Sequence, residues 1–305
     1  VGWTPASDIV SAFEPVAPPT QKALFGFGTT GSYTAVTNLV NSSGVVGSDV
    51  TGVGTARHGL AAANFGGDKA IFGYGYSSAA RVATTNLVSN EGVVASDTSG
   101  VGSVRYHLAA ATFGGDKAIF GYGNTGSMVS ITNLVSSSGV VATDTTGVGT
   151  ARNGLGAAEF GVGKAIFAYG NGGSDVSMSN LVSNLGVVAT DVSGVGTARR
   201  FLAAASYGGD KAIFGYGIGG SSSSLTNLVN NSGVVASDVS GVGTARAELA
   251  ATSYGGDKAI FGYGVTGSNV SMTNLVNNSG VVAADVDGVG TARNTLAAAG
   301  YSFSA

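Results

Sequence analysis

Acid–base, nucleophilic and metal chemistry all need titratable or ligating side chains, and this chain of 305 residues holds few: 14 Lys and Arg, 17 Asp and Glu, two His and no Cys. Twelve of the basic residues recur at a fixed interval, as Lys22, Lys69, Lys117, Lys164, Lys211 and Lys258 and as Arg57, Arg105, Arg152, Arg199, Arg246 and Arg293. Only Arg81 and Arg200 stand outside that pattern. Ten acidic residues recur likewise: Asp49, Asp97, Asp144, Asp191, Asp238 and Asp285, and Asp68, Asp116, Asp210 and Asp257 in the phrase GGDK. A catalytic group is needed once, so a group present six times reads as scaffolding, here Arg–Asp pairs and backbone hydrogen bonds between repeats. The other reading is a ring of six equivalent charged binding sites. His58 and His107 have no third ligand beside them, so no metal site is expected. Asp285-Val-Asp287-Gly288 opens like a calcium loop but lacks its later ligands. Without Cys there is no thiol nucleophile, and none of the many Gly-x-Gly phrases lies between a strand and a helix, as phosphate binding would require. The inventory predicts neither an enzyme nor a cofactor.

The elements that carry these residues are set by one repeat. KALFGFG at Lys22, KAIFGYG at Lys69, Lys117, Lys211 and Lys258, and KAIFAYG at Lys164 follow one another at spacings of 47, 48, 47, 47 and 47 residues. Each is followed by (T/S)NLV, by GVV leading to an Asp, and mostly by GVGTAR. In the second repeat the β-type segments are LAAANF (60–65), KAIFGYG (69–75), TNLVS (85–89) and GVVASD (92–97), separated by Gly, Ser, Asn and Asp. No stretch has the period and caps of a helix. Four short strands per period are the signature of a propeller blade. The Ala-rich segment is expected at the crowded axis, and the Gly66-Gly67 pair at a tight turn. The first repeat lacks its Ala-rich strand, and the chain finishes on one, LAAAGYSF (296–303), so that the end completes the sheet the beginning opens. The expected architecture is all-β: a six-bladed β-propeller of four-stranded blades over 22–305, closed by the C-terminal strand. Residues 1–21 hold all four Pro and Trp3, and are expected to form a linker or docking arm.

An Arg, a small-residue strand, a Gly pair, an aliphatic–aromatic strand ending in Gly and a polar third strand together resemble the kelch repeat over residues 22–305. The pattern departs from it in having GYG where a Gly pair ends the second strand, and in lacking the Trp of the fourth. The kelch-type galactose oxidase reaction needs a copper site with a Tyr cross-linked to Cys, and Cys is absent here. Near-identical Gly-rich FGYG repeats also resemble those of phage and metagenomic virion proteins. That likeness implies a virion or extracellular location.

Composition narrows the partners. Fifty-two Gly and 10% charged residues are repeat chemistry multiplied by six. A net charge of −3 gives no field for a nucleic-acid backbone. No apolar run approaches the ~18 residues of a membrane span, so no membrane insertion is expected. No cationic signal segment opens the chain, which starts at Val1; a processed product or part of something longer is expected.

Function in a repeat protein is sought where the copies differ. One variable window follows the second strand: TTGSYTAV (29–36), YSSAARVAT (76–84), NTGSMVSI (124–131), NGGSDVSM (171–178), IGGSSSSL (218–225) and VTGSNVSM (265–272). The other is the pair after the repeat Arg, such as Tyr106-His107 and Arg200-Phe201. Alternating strand direction puts both windows on one face and the near-constant GGDK turn on the other. Loops on a rigid scaffold carry recognition; neutral drift of exposed loops is the alternative. The candidate contacts are Tyr76, Arg81, Tyr106, His107, Asp175, Arg200, Phe201 and Glu248. The expected function is non-enzymatic recognition of a host surface glycan or protein by a phage tail, fibre or other surface protein. Residues 1–21 would dock on neighbouring virion or surface proteins. A secreted lectin with one sugar site per blade is the other reading.

Overall fold

In the computed structural model, which describes residues 20–305, the chain is all-β, with six three-stranded antiparallel sheets and one two-stranded ribbon. In the second sheet an inner strand, Ala61–Phe65, pairs with a middle strand, Lys69–Gly73, which pairs with an outer strand, Thr85–Val88. The middle strand KAIFG is buried on both faces and therefore reads as a continuous apolar run. The inner strand alternates buried and half-buried residues, because its small side chains face a narrow axis on one side and the neighbouring sheet on the other.

The expected fourth strand, GVVASD in the second repeat, does not form a ladder. It touches the outer strand only at the isolated bridges Val88–Val94 and Thr85–Thr98. The reason lies in Asn86, whose side-chain amide donates to the Ala95 carbonyl (3.0 Å) and the Asp97 carboxylate (2.8 Å), taking the place of ladder bonds. The same substitution recurs in all six sheets. The segment keeps a few backbone bonds to the outer strand, such as Ala95 N–H to the Leu87 carbonyl (2.8 Å), but an edge so broken offers a poor template for another strand.

The C-terminal strand, Ala297–Tyr301, pairs with Lys22–Gly26 in the register from Lys22–Tyr301 to Gly26–Ala297. The inner strands pack in succession, Ala61–Phe65 on Ala109–Phe113, then Gly156–Phe160, Ala203–Tyr207, Ala250–Tyr254 and Ala297–Tyr301, and the last packs on the first. Backbone bonds at the inner–middle turns follow the same cycle. Gly66, Gly114, Gly161 and Gly208 donate to the carbonyls of Asp116, Gly163, Asp210 and Asp257, Gly255 donates to Gln21, and Ser302 donates to Asp68. Ser302 and Gln21 thus stand where the other sheets have a covalent turn. Thr20 and Gln21, read from sequence with the arm, are built into this end of the assembly; residues 1–19 lie outside the described residues.

Each junction between sheets is held by the repeat Arg, fully buried in all six cases. Its guanidinium lies 4.1–4.4 Å above the ring of Phe27, Tyr74, Tyr122, Tyr169, Tyr216 or Tyr263 in the preceding sheet. Arg57 donates to the Tyr74 carbonyl (2.8 Å), to Asn86 Oδ1 (2.7 Å) and to the Thr55 carbonyl. Burial lowers its pKa to about 10, which leaves it cationic at neutral pH. The expected Arg–Asp pairing is present but long, at 3.8–4.0 Å in five sheets. Those Asp carboxylates instead accept from the Thr or Ser two residues before the Arg, as in Thr55 Oγ1 to Asp97 (2.6 Å). Desolvation raises the Asp97 pKa, but the Thr55 and Asn86 bonds and Arg57 outweigh it and hold it below the usual carboxylate range.

Candidate recognition face

At the end opposite the inner–middle turns, the two variable windows of each repeat are joined. Arg57–His58 pairs with Tyr76–Ser77 as the two-stranded ribbon. Equivalent bridges link Tyr106 to Asn124, Asn153 to Asn171, Arg200 to Ile218, Ala247 to Val265 and Asn294 to Thr29. Both windows therefore share one face.

Around the axis on this face, six residues form a head-to-tail cycle of backbone hydrogen bonds. His107 donates to Gly59, Gly59 to Thr295, Thr295 to Glu248, Glu248 to Phe201, Phe201 to Gly154 and Gly154 back to His107, all at 2.7–2.9 Å. All six have positive φ, from 48° to 62°. The cycle holds four non-glycine residues in a conformation that L-residues rarely adopt. Side-chain sizes interlock around it. A Cβ on Gly59 would lie 2.8 Å from the His107 ring, and one on Gly154 would lie 3.0 Å from the Phe201 ring. The glycines are thus the seats of the rings of His107 and Phe201.

That seating brings the aromatic residues of several repeats together. Tyr33 stacks on His58 at 4.8 Å, and His58 meets Tyr76, Tyr106 and His107 at 6.0–6.3 Å. Tyr76 meets Tyr106 at 5.6 Å, Tyr106 meets His107 at 4.4 Å, and His107 meets Phe201 at 4.9 Å across the position of Gly154. Arg81 lies 5.5 Å over Tyr106, and its Nε has no hydrogen-bond partner among the described residues. Arg200 lies 5.7 Å over Phe201 and pairs with Asp175 at 2.7 Å. Asn171 also donates to Asp175. All of these side chains are half-buried, neither sealed in the core nor free in solvent.

Burial lowers the pKa of His58 and, together with the neighbouring His58, pushes that of His107 down to about 4. Both are neutral at pH 7, His58 Nδ1 lying 3.2 Å from Thr295 Oγ1. The face is therefore a platform of neutral rings flanked by two cations, of which Arg81 has no carboxylate partner among the described residues. Its chemistry is stacking and hydrogen bonding. Among the described residues no group of three His, Asp or Glu is placed to hold a metal.

Of the sequence candidates, Tyr76, Arg81, Tyr106, His107 and Phe201 form one contact chain, and Arg200 with Asp175 adjoins it. Glu248 is separate, reached from Phe201 only through the backbone cycle; burial raises its pKa. Sequence reasoning missed Tyr33 and the stacking role of His58. The available signal was that Tyr33 is an aromatic residue in a variable window and His58 occupies the place of Tyr106. No protein-family model matches the chain, and no curated protein matches it.

Proposed function

We propose that this chain is a kelch-like propeller of six blades, closed by its C-terminal strand, that acts without catalysis as a recognition module. It binds a host surface glycan through the aromatic face, on a virion structure such as a phage tail or fibre or on another extracellular surface. The segment that precedes Thr20 joins it to a neighbouring protein of the same assembly. Closure is supported by the two cycles of backbone hydrogen bonds at opposite ends and by packing of the last inner strand on the first.

The observation that carries the binding reading is the unbroken chain of rings Tyr33, His58, Tyr106, His107 and Phe201, lying where the repeats differ most. Ring faces take the C–H surface of a sugar, and Arg81 and Arg200 supply donors for its hydroxyls or carboxylates. The six repeat Arg and Asp are engaged within the fold, which favours a single face over one site per blade. A glycan array probed with the labelled protein tests this. Binding should fall at least ~10-fold in Tyr106→Ala and Phe201→Ala, truncations of aromatic anchors in a binding face. An array on which the wild type binds nothing, or binding unchanged in both variants, overturns it. Six sugars bound per chain would establish the lectin reading instead.

A further inference from the structure

The other end of the axis holds a cavity of about 130 Å³, lined by the inner strands. Its polar layer is the residue before the terminal aromatic of each inner strand: Asn64, Thr112, Glu159, Ser206 and Ser253. In the sixth strand that residue is Gly300, and Thr20 Oγ1 fills the space where its Cβ would stand. Next to this layer lies a collar of alanines, including Ala62, Ala157 and Ala204.

Two hydroxyls of the layer are left as acceptors, whereas Asn64 Oδ1 accepts from the Gly300 N–H (2.9 Å) and leaves its amide group as a donor. Thr112 Oγ1 donates to the Asn64 carbonyl (3.2 Å) and Ser206 Oγ to the Glu159 carbonyl (2.9 Å), so each hydroxyl keeps only acceptor lone pairs for the cavity. Thr20 is 4% exposed, and its Oγ1 has no partner among the described residues. The Glu159 carboxylate has no ion pair or hydrogen bond among them either. Among the described residues no Lys, Arg or His lines the cavity, and its titratable groups are Glu159, Asp257 and Tyr207. Asp257 accepts from Asn278 (3.0 Å).

We infer that this axial cavity is a cation site, in which Glu159, Thr20 Oγ1 and the surrounding hydroxyls hold one small cation, either a metal ion with oxygen ligands or a primary ammonium. A half-buried carboxylate with no partner of its own, facing hydroxyl oxygens left as acceptors, is an arrangement such ions use. Burial pushes the Glu159 carboxyl up to about 7 without a cation. Protons and the cation therefore compete there, and binding should strengthen as pH rises through about 7.

The test is thermal unfolding of chelator-treated full chain with calcium chloride, potassium chloride or methylammonium chloride, at pH 5.5 and pH 8. The expected result is a concentration-dependent rise in Tm at pH 8 with at least one salt, saturating at one ion per chain by titration calorimetry and weaker at pH 5.5. A response to the metal salts or to methylammonium identifies the source. Glu159→Gln should abolish the rise while melting cooperatively, and Thr20→Val should weaken binding ~10-fold, about one lost ligand. Should Glu159→Gln fail to fold, Thr20→Val decides. No specific rise in the wild type, or the same rise in the variants, overturns the inference. Tyr106→Ala and Phe201→Ala, at the far end, should leave the rise unchanged whatever becomes of glycan binding.

Discussion

Tyr74 shows how much one side chain does in this repeat. Its φ of 63° is one that glycine adopts freely, yet the residue is a fully buried tyrosine. The ring takes Arg105 on its face, its carbonyl accepts from Arg57, and its hydroxyl donates to the Val101 carbonyl at 3.0 Å. Four other tyrosines repeat the hydroxyl bond, at 3.1–3.2 Å. The first repeat has Phe27 in that place, with φ of 63° and no hydroxyl. Phe27→Tyr should restore the missing bond, to the carbonyl of Val53. The expected gain is about 1 kcal/mol, or ~2 °C in Tm by calorimetry. An unchanged or lower Tm would show that the hydroxyl bond is incidental to the strained tyrosine.

Between elements, packing is set by which strand carries a methyl group. In five sheets the middle strand ends in Gly, and in each the ring of the next sheet's Phe fills the space a Cβ would occupy, as Phe120 does 2.6 Å from a Cβ on Gly73. The fourth sheet reverses the arrangement. Its middle strand ends in Ala168, and the residue opposite on its inner strand is Gly156, where the other sheets have Ala. Phe214 packs with Ala168, and a Cβ on Gly156 would meet it at 3.1 Å. Gly156→Ala alone should overpack Phe214, at ~1–3 kcal/mol. Ala168→Gly alone should leave a void of one methyl, at ~1 kcal/mol. The double variant recreates the other sheets and should lie near wild type, giving a coupling of at least ~1 kcal/mol in a denaturant-melt cycle. Additive losses would refute the compensation. The strand starts and the pairing of the C-terminal strand with Lys22–Gly26 were legible, because a period of about 47 residues exposes them directly. The missing fourth strand was not, since nothing in GVVASD reveals that the amide of Asn86 competes for its carbonyls. On the recognition face, Tyr76, Tyr106 and Phe201 were found as variable aromatics. Tyr33 and the seats at Gly59 and Gly154 were not, because those contacts run between repeats and depend on how successive sheets are rotated.

At the scale of the whole molecule, Thr20–Gln21 and the C-terminal strand meet at a seam that imitates a turn. Gln21 donates to the Ser302 carbonyl, Ser302 donates to Asp68, and Gly255 donates to Gln21, as the covalent turns do elsewhere. A circular permutant follows. Joining residue 301 to residue 22 with a Gly-Gly-Asp turn in place of Ser302 and Gln21, and opening the chain between Gly161 and Gly163, should fold to the same assembly. Its far-ultraviolet circular dichroism should match the wild type, with Tm within ~5 °C, the few-degree cost of about one or two weakened turn bonds. A permutant that is unfolded or aggregated would mean that the native seam is required for folding.

The seam also has a genetic consequence. Near-identical coding repeats exchange by slipped recombination, which adds or removes a whole period at a time. Here a period begins on the middle strand of one sheet and ends on the inner strand of the next, so such an event leaves every remaining sheet with its inner, middle and outer strands. What it breaks is the count: each hydrogen-bond cycle has six donors facing six acceptors at a fixed rotation. Loops of the aromatic face could thus be exchanged between repeats, while the two six-membered hydrogen-bond cycles fix their number.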